Sequence, residues 1–286
     1  MTWLRWFGYA LAACLVTWGL AATVGYWLWS GGTRELERRL ATFDRPLAAT
    51  RYHPSELEGL PPPVQRFFRS VLTEGQPIVT TTSLEHKGEF NMGEAEDNWR
   101  PFHSRQQATA SRPGFIWDAR VEMMPGVLVR VHDAYIGGEG LLHAALLGLV
   151  PVADLRGTPE LAEGELLRWF AEAAWYPTAL LPSQGVRWEH VSDKVARATL
   201  VDGTVSATLT FTFGDDGSME VVRAEARGRT VGGRVLLTPW EGRWSDMRVQ
   251  NGMRVPMRGE VAWLTPEGRK AYWRGTVTSL SYEFAP

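Results

Sequence analysis

The chain has 286 residues, 44% of them hydrophobic, with 14 tryptophans and a formal net charge of −2. That is enough apolar material for one large domain or two small ones, and the near-neutral charge excludes the basic surface that a nucleic-acid partner requires. The single cysteine, Cys14, rules out an intrachain disulfide and a thiolate metal site, and the 27 arginines against 3 lysines read as a GC-rich coding bias rather than an anion-binding device.

No charged side chain stands between Arg5 and Arg34, and Trp6 to Trp29 is apolar or small throughout. At a rise of about 1.5 Å per residue this run is long enough to cross a hydrocarbon core of about 30 Å. Trp3, Trp6 and Phe7 at one end, with Tyr26, Trp27 and Trp29 at the other, prefer the membrane–water boundary. Residues 1–32 are therefore read as a retained transmembrane anchor. A cleaved signal peptide has an apolar stretch of about 7–15 residues before a small-residue site. Here strongly apolar chain follows both Ala10-Leu11-Ala12 and Gly19-Leu20-Ala21. Leu11-Ala12-Ala13-Cys14 matches the pattern before a lipidated cysteine, but no polar tether follows it. The anchor places the protein in the cytoplasmic (inner) membrane as a single-pass protein. Arg34, Arg38 and Arg39 against Arg5 favour a C-terminal side facing the cytoplasm. The excess is small and Glu35 and Glu37 lie among them, so the side on which the soluble part lies stays open.

Thr33 to about Leu47 reads as a short charged helix leaving the membrane, with Thr33 as N-cap and Glu35 in the first turn. With the linker from His53-Pro54 to Gly59 it makes up residues 33–59. Residues 60–286 read as one domain, which opens with a helix near 62–73. After Pro61-Pro62-Pro63, the residues Val64, Phe67, Phe68, Val71 and Leu72 form an apolar stripe, and Gly75 and Pro77 end it.

From Ile78 the period changes to two. Phe115, Trp117, Ala119, Val121 and Met123 alternate with Ile116, Asp118, Arg120 and Glu122, and Val205, Ala207, Leu209, Phe211 and Phe213 alternate with hydroxyl residues. These are half-buried strands with one polar face. Gly137-Gly138, Asp202-Gly203, Gly232-Gly233 and Asn251-Gly252 are among the turn signals, and some ten strands with short connections imply a large antiparallel sheet. A second helix near 158–176 interrupts the series. Thr158-Pro159-Glu160 starts it, Leu166, Trp169, Phe170, Ala173 and Ala174 form its stripe, and Pro177 stops it. Leu141 to Val152 is apolar apart from His143 and too short to cross a membrane. It reads either as core or as an apolar lip that lines a pocket or touches lipid.

Leu60-Pro61-Pro62-Pro63-Val64-Gln65-Arg66-Phe67, Gly114-Phe115-Ile116-Trp117-Asp118-Ala119-Arg120, Leu147-Gly148-Leu149-Val150-Pro151-Val152-Ala153-Asp154, Trp175-Tyr176-Pro177-Thr178-Ala179-Leu180-Leu181-Pro182-Ser183 and Pro239-Trp240-Glu241-Gly242-Arg243-Trp244 resemble an uncharacterised family of bacterial proteins, typically membrane-anchored. The resemblance covers residues 60–284 and implies no activity. The element order and Asn251-Gly252-Met253-Arg254-Val255-Pro256 are also similar to the periplasmic lipoprotein carriers of the LolA and LppX kind. That fold-level likeness implies a half-barrel whose concave face holds acyl chains under helical lids, in a domain outside the cytoplasm.

Enzyme signatures are sparse. There is no Gly-x-Ser-x-Gly elbow and no phosphate loop, and the six histidines show no metal-ligand spacing. His132 and Asp133 are strand neighbours and must point to opposite faces. The best catalytic set is Asp118, His132, Glu241 and Arg243, with Asp118 and Glu241 beside tryptophans that could desolvate a carboxylate. Ordinary cross-strand charge pairing explains the same residues. No catalytic residue, metal ligand or cofactor is assigned.

The fold class expected is α+β, mainly β: a large curved antiparallel sheet, half-barrel-like, with covering helices and one transmembrane helix before it. The function expected is a membrane-anchored, non-catalytic module for a lipid, lipid-linked or other hydrophobic ligand, with the bilayer as partner and no nucleic acid. Trp117, Leu142, Leu146, Leu147, Trp169, Phe170, Trp175 and Trp263 are the expected ligand contacts. A structural protein docking a membrane partner and a hydrolase using Asp118 or Glu241 are the alternatives.

Overall fold

The computed structural model describes residues 2–43, 47–93 and 96–286. One helix, α1 (Thr2–Ala41), precedes a short helix α2 (Pro62–Val71). Six strands follow: β1 (Val79–Asn91), β2 (Trp99–Thr109), β3 (Gly114–Met124), β4 (Val127–Ile136), β5 (Glu139–Leu146) and β6 (Val150–Arg156). Helix α3 (Pro159–Glu172) runs into tight 3-10 turns through Gln184. Seven strands complete the chain: β7 (Arg187–Ser192), β8 (Val195–Asp202), β9 (Val205–Phe213), β10 (Met219–Val231), β11 (Arg234–Gln250), β12 (Met253–Thr265) and β13 (Gly268–Phe284).

All thirteen strands form one sheet in the order β6-β5-β4-β3-β2-β1-β13-β12-β11-β10-β9-β8-β7. Every pairing is antiparallel, so each half is a meander and the two halves join where the first strand meets the last. The turns have the chemistry that the sequence announces. Asn251 and Gly252 take φ of 49° and 82°, the paired left-handed geometry of a two-residue hairpin.

The sheet is strongly curved, and α3 shows by how much. This helix has 14 residues, about 21 Å at the usual rise, yet it packs against both β5 and β9. Those strands are nine steps apart in the sheet, about 43 Å if it were flat. The face that holds α3 is therefore concave. At the rim, Tyr135 on β4 donates to Asp202 Oδ2 at the end of β8 at 3.0 Å, and Arg112 donates to the other oxygen at 2.8 Å. These bonds tie the two flanks of the open sheet together.

The concave face carries the main core. Val64, Phe67, Phe68 and Val71 of α2 and Leu166, Trp169 and Phe170 of α3 are buried there with Phe115, Trp117, Phe211 and Trp244 of the sheet. Both helices expected from the sequence are thus present and cover one face.

Helix α1 departs from expectation. It does not stop near residue 32 and restart at Thr33 but continues unbroken to Ala41, so Thr33 is an interior helical residue and not an N-cap. The end expected near Leu47 falls partly on residues 44–46, outside the described residues. The N-terminal part stands clear of the domain, with Trp3, Trp6, Phe7 and Leu15 all more than half exposed. The C-terminal part lies on the convex face of β3 and β4. This also corrects the expectation that Ile116 belongs to a solvated polar face: Leu36 and Leu40 cover it, and it is buried with Ala134 and Ile136.

Candidate functional site

The convex face under α1 concentrates polar chemistry in a buried setting. Glycine opens the contact: a Cβ at Gly25 would collide with the Leu147 carbonyl oxygen in the β5–β6 turn. One turn on, the Trp29 indole lies flat on His132, centroids 3.9 Å apart, and reaches over His143 at 5.5 Å. Its Nε1 donates to Asp118 Oδ1 at 3.0 Å. One further turn on, Thr33 Oγ1 is 2.9 Å from Asp118 Oδ2 and 2.8 Å from His132 Nε2. A hydroxyl has a single proton. The carboxylate, closer and charged, takes it in preference to the Trp29 carbonyl at 3.2 Å, so His132 Nε2–H donates to Thr33 Oγ1. Burial holds the His132 pKa down at about 4; His143, Arg130 and Arg156 add to this, and Asp118 opposes it. His132 is accordingly a neutral, structural imidazole at pH 7.

Beside this cluster lies an open groove of about 740 Å³. Tyr26, Ser30, Thr33, Arg34 and Glu37 of α1 form one wall. The floor is the convex face of β13, β1, β2 and β3, with Ser281, Ser83, His103, Arg105, Arg120 and Asp118. This volume falls within the range of about 300–1,000 Å³ common for small-ligand sites.

The concave face has a different character. Arg168 of α3 donates to Asp133 Oδ2 at 2.5 Å and to Glu172 Oε1 at 2.8 Å, and Gln106 Nε2 donates to Glu172 Oε2 at 2.6 Å. The guanidinium stacks over Phe115 and Trp117 at 4.8 and 5.0 Å. Burial opposes its charge, but Glu172 and Asp133 keep Arg168 firmly protonated. Burial and the nearby Asp133 charge push the Glu165 carboxyl well up, and Arg227 beside it opposes this. The Glu165 carboxyl shares a hydrogen bond with Asp133, and Gln106 Oε1 is buried without a hydrogen-bond partner. The middle of the concave face is thus polar and covered, not an apolar slot.

The residues expected to contact ligand do not form one site. Trp169 and Phe170 are packed inside α3's interface: Trp169 Nε1 donates to the Thr109 carbonyl at 3.0 Å, and Phe170 meets Phe211. Trp175 donates to the Pro256 carbonyl and touches His86 and Trp244. Trp117 lies under Arg168. Leu142 and Leu146 are partly exposed on β5, and Trp263 stacks on Tyr272 on the other flank. Leu147 is in the β5–β6 turn with a left-handed φ of 54°. The apolar segment Leu141–Val152 divides accordingly: Ala144 and Ala145 are buried, and Val150 and Val152 are more than half exposed.

The proposed catalytic set separates in the same way. Asp118 and His132 meet under α1, and Asp133 points to the opposite face as the strand period requires. Glu241 and Arg243 lie on β11, five strands and about 24 Å away. Burial disfavours the Glu241 charge, but hydrogen bonds from Arg269, Arg223 and Arg243 win and keep its pKa below the ordinary range, the reverse of a general acid. The sequence reading missed the α1–sheet contact altogether. Its signals were Gly25 and Gly32 in a helix rich in bulky residues, and Ile116, an apolar residue on a polar strand face.

The chain belongs to the family of unknown function DUF6920, whose model matches residues 58–282. No curated protein matches it. Among solved structures it is similar to a LolA superfamily protein from Nitrosomonas europaea, with 10% identity over 78% of this chain and 93% of that one and a TM-score of 0.42. It is also similar to a β-barrel-like protein of the domain of unknown function DUF1849 from Brucella abortus, with 13% identity over 72% of this chain and 99% of that one and a TM-score of 0.25. Neither likeness carries an argument about ligand or activity.

Proposed function

We propose that this member of DUF6920 is a single-pass protein of the cytoplasmic membrane whose sheet domain is a non-catalytic binding module for a lipid or other amphiphilic ligand, held rigidly at the bilayer surface. One observation carries the reading. Helix α1 passes without a break from an uncovered apolar stretch to a stretch packed on β3 and β4. The stretch from Trp3 is long and apolar enough to cross a membrane, and its large side chains have no cover of their own. No flexible linker separates it from the domain, so the domain has a fixed height and rotation above the bilayer.

That height is set by contacts. Gly126 in the β3–β4 turn lies against Trp18, and the β5–β6 turn lies against Gly25. Seven residues of helix, about 10 Å, separate these levels, so the β5–β6 turn stands at the aromatic end of the apolar run and the β3–β4 turn lies deeper, alongside its middle. Exposed Met124, Val150 and Val152 are the side chains that this position would bury in lipid. A ligand entering from the bilayer would find the groove along α1 open at this end and polar further along. In the concave interior Trp169, Phe170 and Trp175 are buried.

Native mass spectrometry of the full-length protein in a mild detergent, with lipid extraction, tests the reading. A bound lipid at near-unit stoichiometry is expected, lost when Gln107→Trp narrows the groove. A clean apo mass from lipid-rich membranes, or retention of lipid by the narrowed groove, would overturn it. Release of the protein from membranes by alkaline carbonate would overturn the anchor independently. A second reading, docking of a membrane partner, draws on Val235, Leu236 and Leu237, which are about half exposed or more on β11. Crosslinking to one partner at fixed stoichiometry would favour it.

A further inference from the structure

Four strands of the convex face carry a row of basic residues in direct cross-strand register. Lys87 on β1 pairs with His103 on β2, His103 with Arg120 on β3, and Arg120 with Arg130 on β4. Like charges facing one another across neighbouring strands are destabilising. The row itself holds no carboxylate, although the Asp118 charge beside it acts on Arg130. Glu85 is engaged by Arg105 at 3.1 Å and Glu89 by Arg274 at 2.6 Å. Asp118 is taken by Trp29 and Thr33. Glu37 stands 11 residues beyond Tyr26 on α1, about 16 Å further along. Glu122, two residues beyond Arg120, lies on the side of the row nearer the β3–β4 turn. Among the described residues no carboxylate makes an ion pair with Lys87, Arg120 or Arg130.

The row also has a definite height. The Arg130 guanidinium lies over the Tyr26 ring at 5.4 Å, and a Cβ on Gly148 would be 3.0 Å from Arg130 Cδ and 2.9 Å from the Gly25 carbonyl oxygen. Arg130 is therefore level with residues 25–29, where the apolar run of α1 ends in Tyr26, Trp27 and Trp29. Arg120, His103 and Arg130 line the groove beside α1. A groove that begins beside Tyr26 at the aromatic end of α1 and carries Arg130, Arg120 and His103 in its lining matches one occupant: a phosphate diester on a membrane lipid.

We propose that Lys87, His103, Arg120 and Arg130 form a binding row for the headgroup phosphate of an anionic phospholipid, taken from the bilayer in which α1 is anchored. The inference rests on the membrane reading above and specifies its ligand. The guanidiniums of Arg120 and Arg130 supply paired N–H donors of the kind that match phosphate oxygens, and the lipid charge relieves their mutual repulsion.

The test uses the full chain in neutral detergent, titrated with phosphatidylglycerol or phosphatidylcholine and read by native mass spectrometry. Phosphatidylglycerol should bind preferentially, and its affinity should fall about fivefold with Arg120→Gln or Arg130→Gln and about twenty-fivefold with both. Arg120→Lys should retain most of the preference. Thermal melts give a second readout that does not depend on the variants being less stable. Without lipid, Arg120→Gln should melt at or above the wild-type temperature. Phosphatidylglycerol should then raise the melting temperature of the wild type much more than that of the variant. Equal binding of both lipids, or an undiminished preference in the double variant, would overturn the proposal. So would displacement of the lipid by inorganic phosphate at matched concentration, which would mark a site for free anions. Carbonate extraction of the same variants separates the outcomes: retention in the membrane with no lipid preference sinks this inference alone, whereas release sinks the anchor.

Discussion

Gly25 and Gly148 meet backbone to backbone: a Cβ on Gly148 would stand 2.9 Å from the Gly25 carbonyl oxygen, and one on Gly25 would strike the carbonyl of Leu147. Neither partner tolerates a side chain, and Gly148 also has a φ of 74°, which favours glycine. Gly25→Leu preserves the apolar character of α1 but should wedge the helix off the sheet. We expect a stability loss of about 1–3 kcal/mol, the usual cost of overpacking, with unchanged membrane insertion. Chemical denaturation of the detergent-solubilised protein, alongside carbonate extraction, measures both. Gly19→Leu, on the uncovered part of the same helix, is the control and should be neutral.

Thr33 carries the hydrogen-bond relay from His132 to Asp118. Thr33→Val keeps the shape and removes the hydroxyl, leaving buried acceptor and donor groups unpaired. A loss of about 1–3 kcal/mol is expected, with Thr33→Ser close to wild type. Equal stability of the valine and serine variants would show that the relay contributes little.

Two buried histidines should make the fold acid-sensitive. Burial holds His86 down at about 3, the Arg168 charge adding to it, and His132 down at about 4. Both are neutral in the folded chain and titrate near 6.5 when it unfolds. The unfolded state therefore binds more protons below pH 6.5, and stability falls as pH drops towards 4. Each histidine should cost about 2 kcal/mol at pH 5 relative to pH 7.5. Glu165, whose pKa is raised, acts in the opposite sense, so wild type must be compared with His132→Gln. Melting temperatures from pH 7.5 to 5 should fall less steeply in the variant. Parallel curves would count against this assignment.

The concave network should respond unequally to neutralisation. Arg168→Met strands Asp133 and Glu172 without their cation and should cost about 3–5 kcal/mol. Glu165→Gln replaces a carboxyl whose charged form burial disfavours and should change stability by under about 1.5 kcal/mol. Urea unfolding of the two variants decides the point. A glutamine variant as damaged as the methionine variant would mean that Glu165 is ionised.

The meander, the hairpin turns and both lid helices were legible because period-two alternation, Asn-Gly turns and proline-capped stripes are local signals. The fate of Asp118 was not. Its strand alternates like any half-buried strand, and only a helix from nearly ninety residues earlier turns its polar face into a second interior. The packing of the interior was illegible for a related reason. Trp169, Phe170 and Trp175 have the composition of a pocket lining, but whether aromatic rings line space or fill it depends on how tightly the sheet wraps α3. The basic row was hidden twice over. Arginine abundance reads as coding bias in composition, and Lys87, His103, Arg120 and Arg130 become neighbours only once the register is known.

The pairing of β1 with β13 places the strand made last in the middle of the sheet. Until Gly268–Phe284 has left the ribosome, β1 and β12 each present a bare edge, and the two meanders are separate bodies on one tether. The half carrying β3 and β4 can take up α1 as soon as it forms, while the other half must wait for a strand some 190 residues downstream of β1. A nascent chain of this kind carries a sticky β1 edge for most of its synthesis, joined by the β12 edge only near the end. Translation stalled before residue 268 should therefore leave a membrane-tethered product that chaperones and proteases recognise as unfinished.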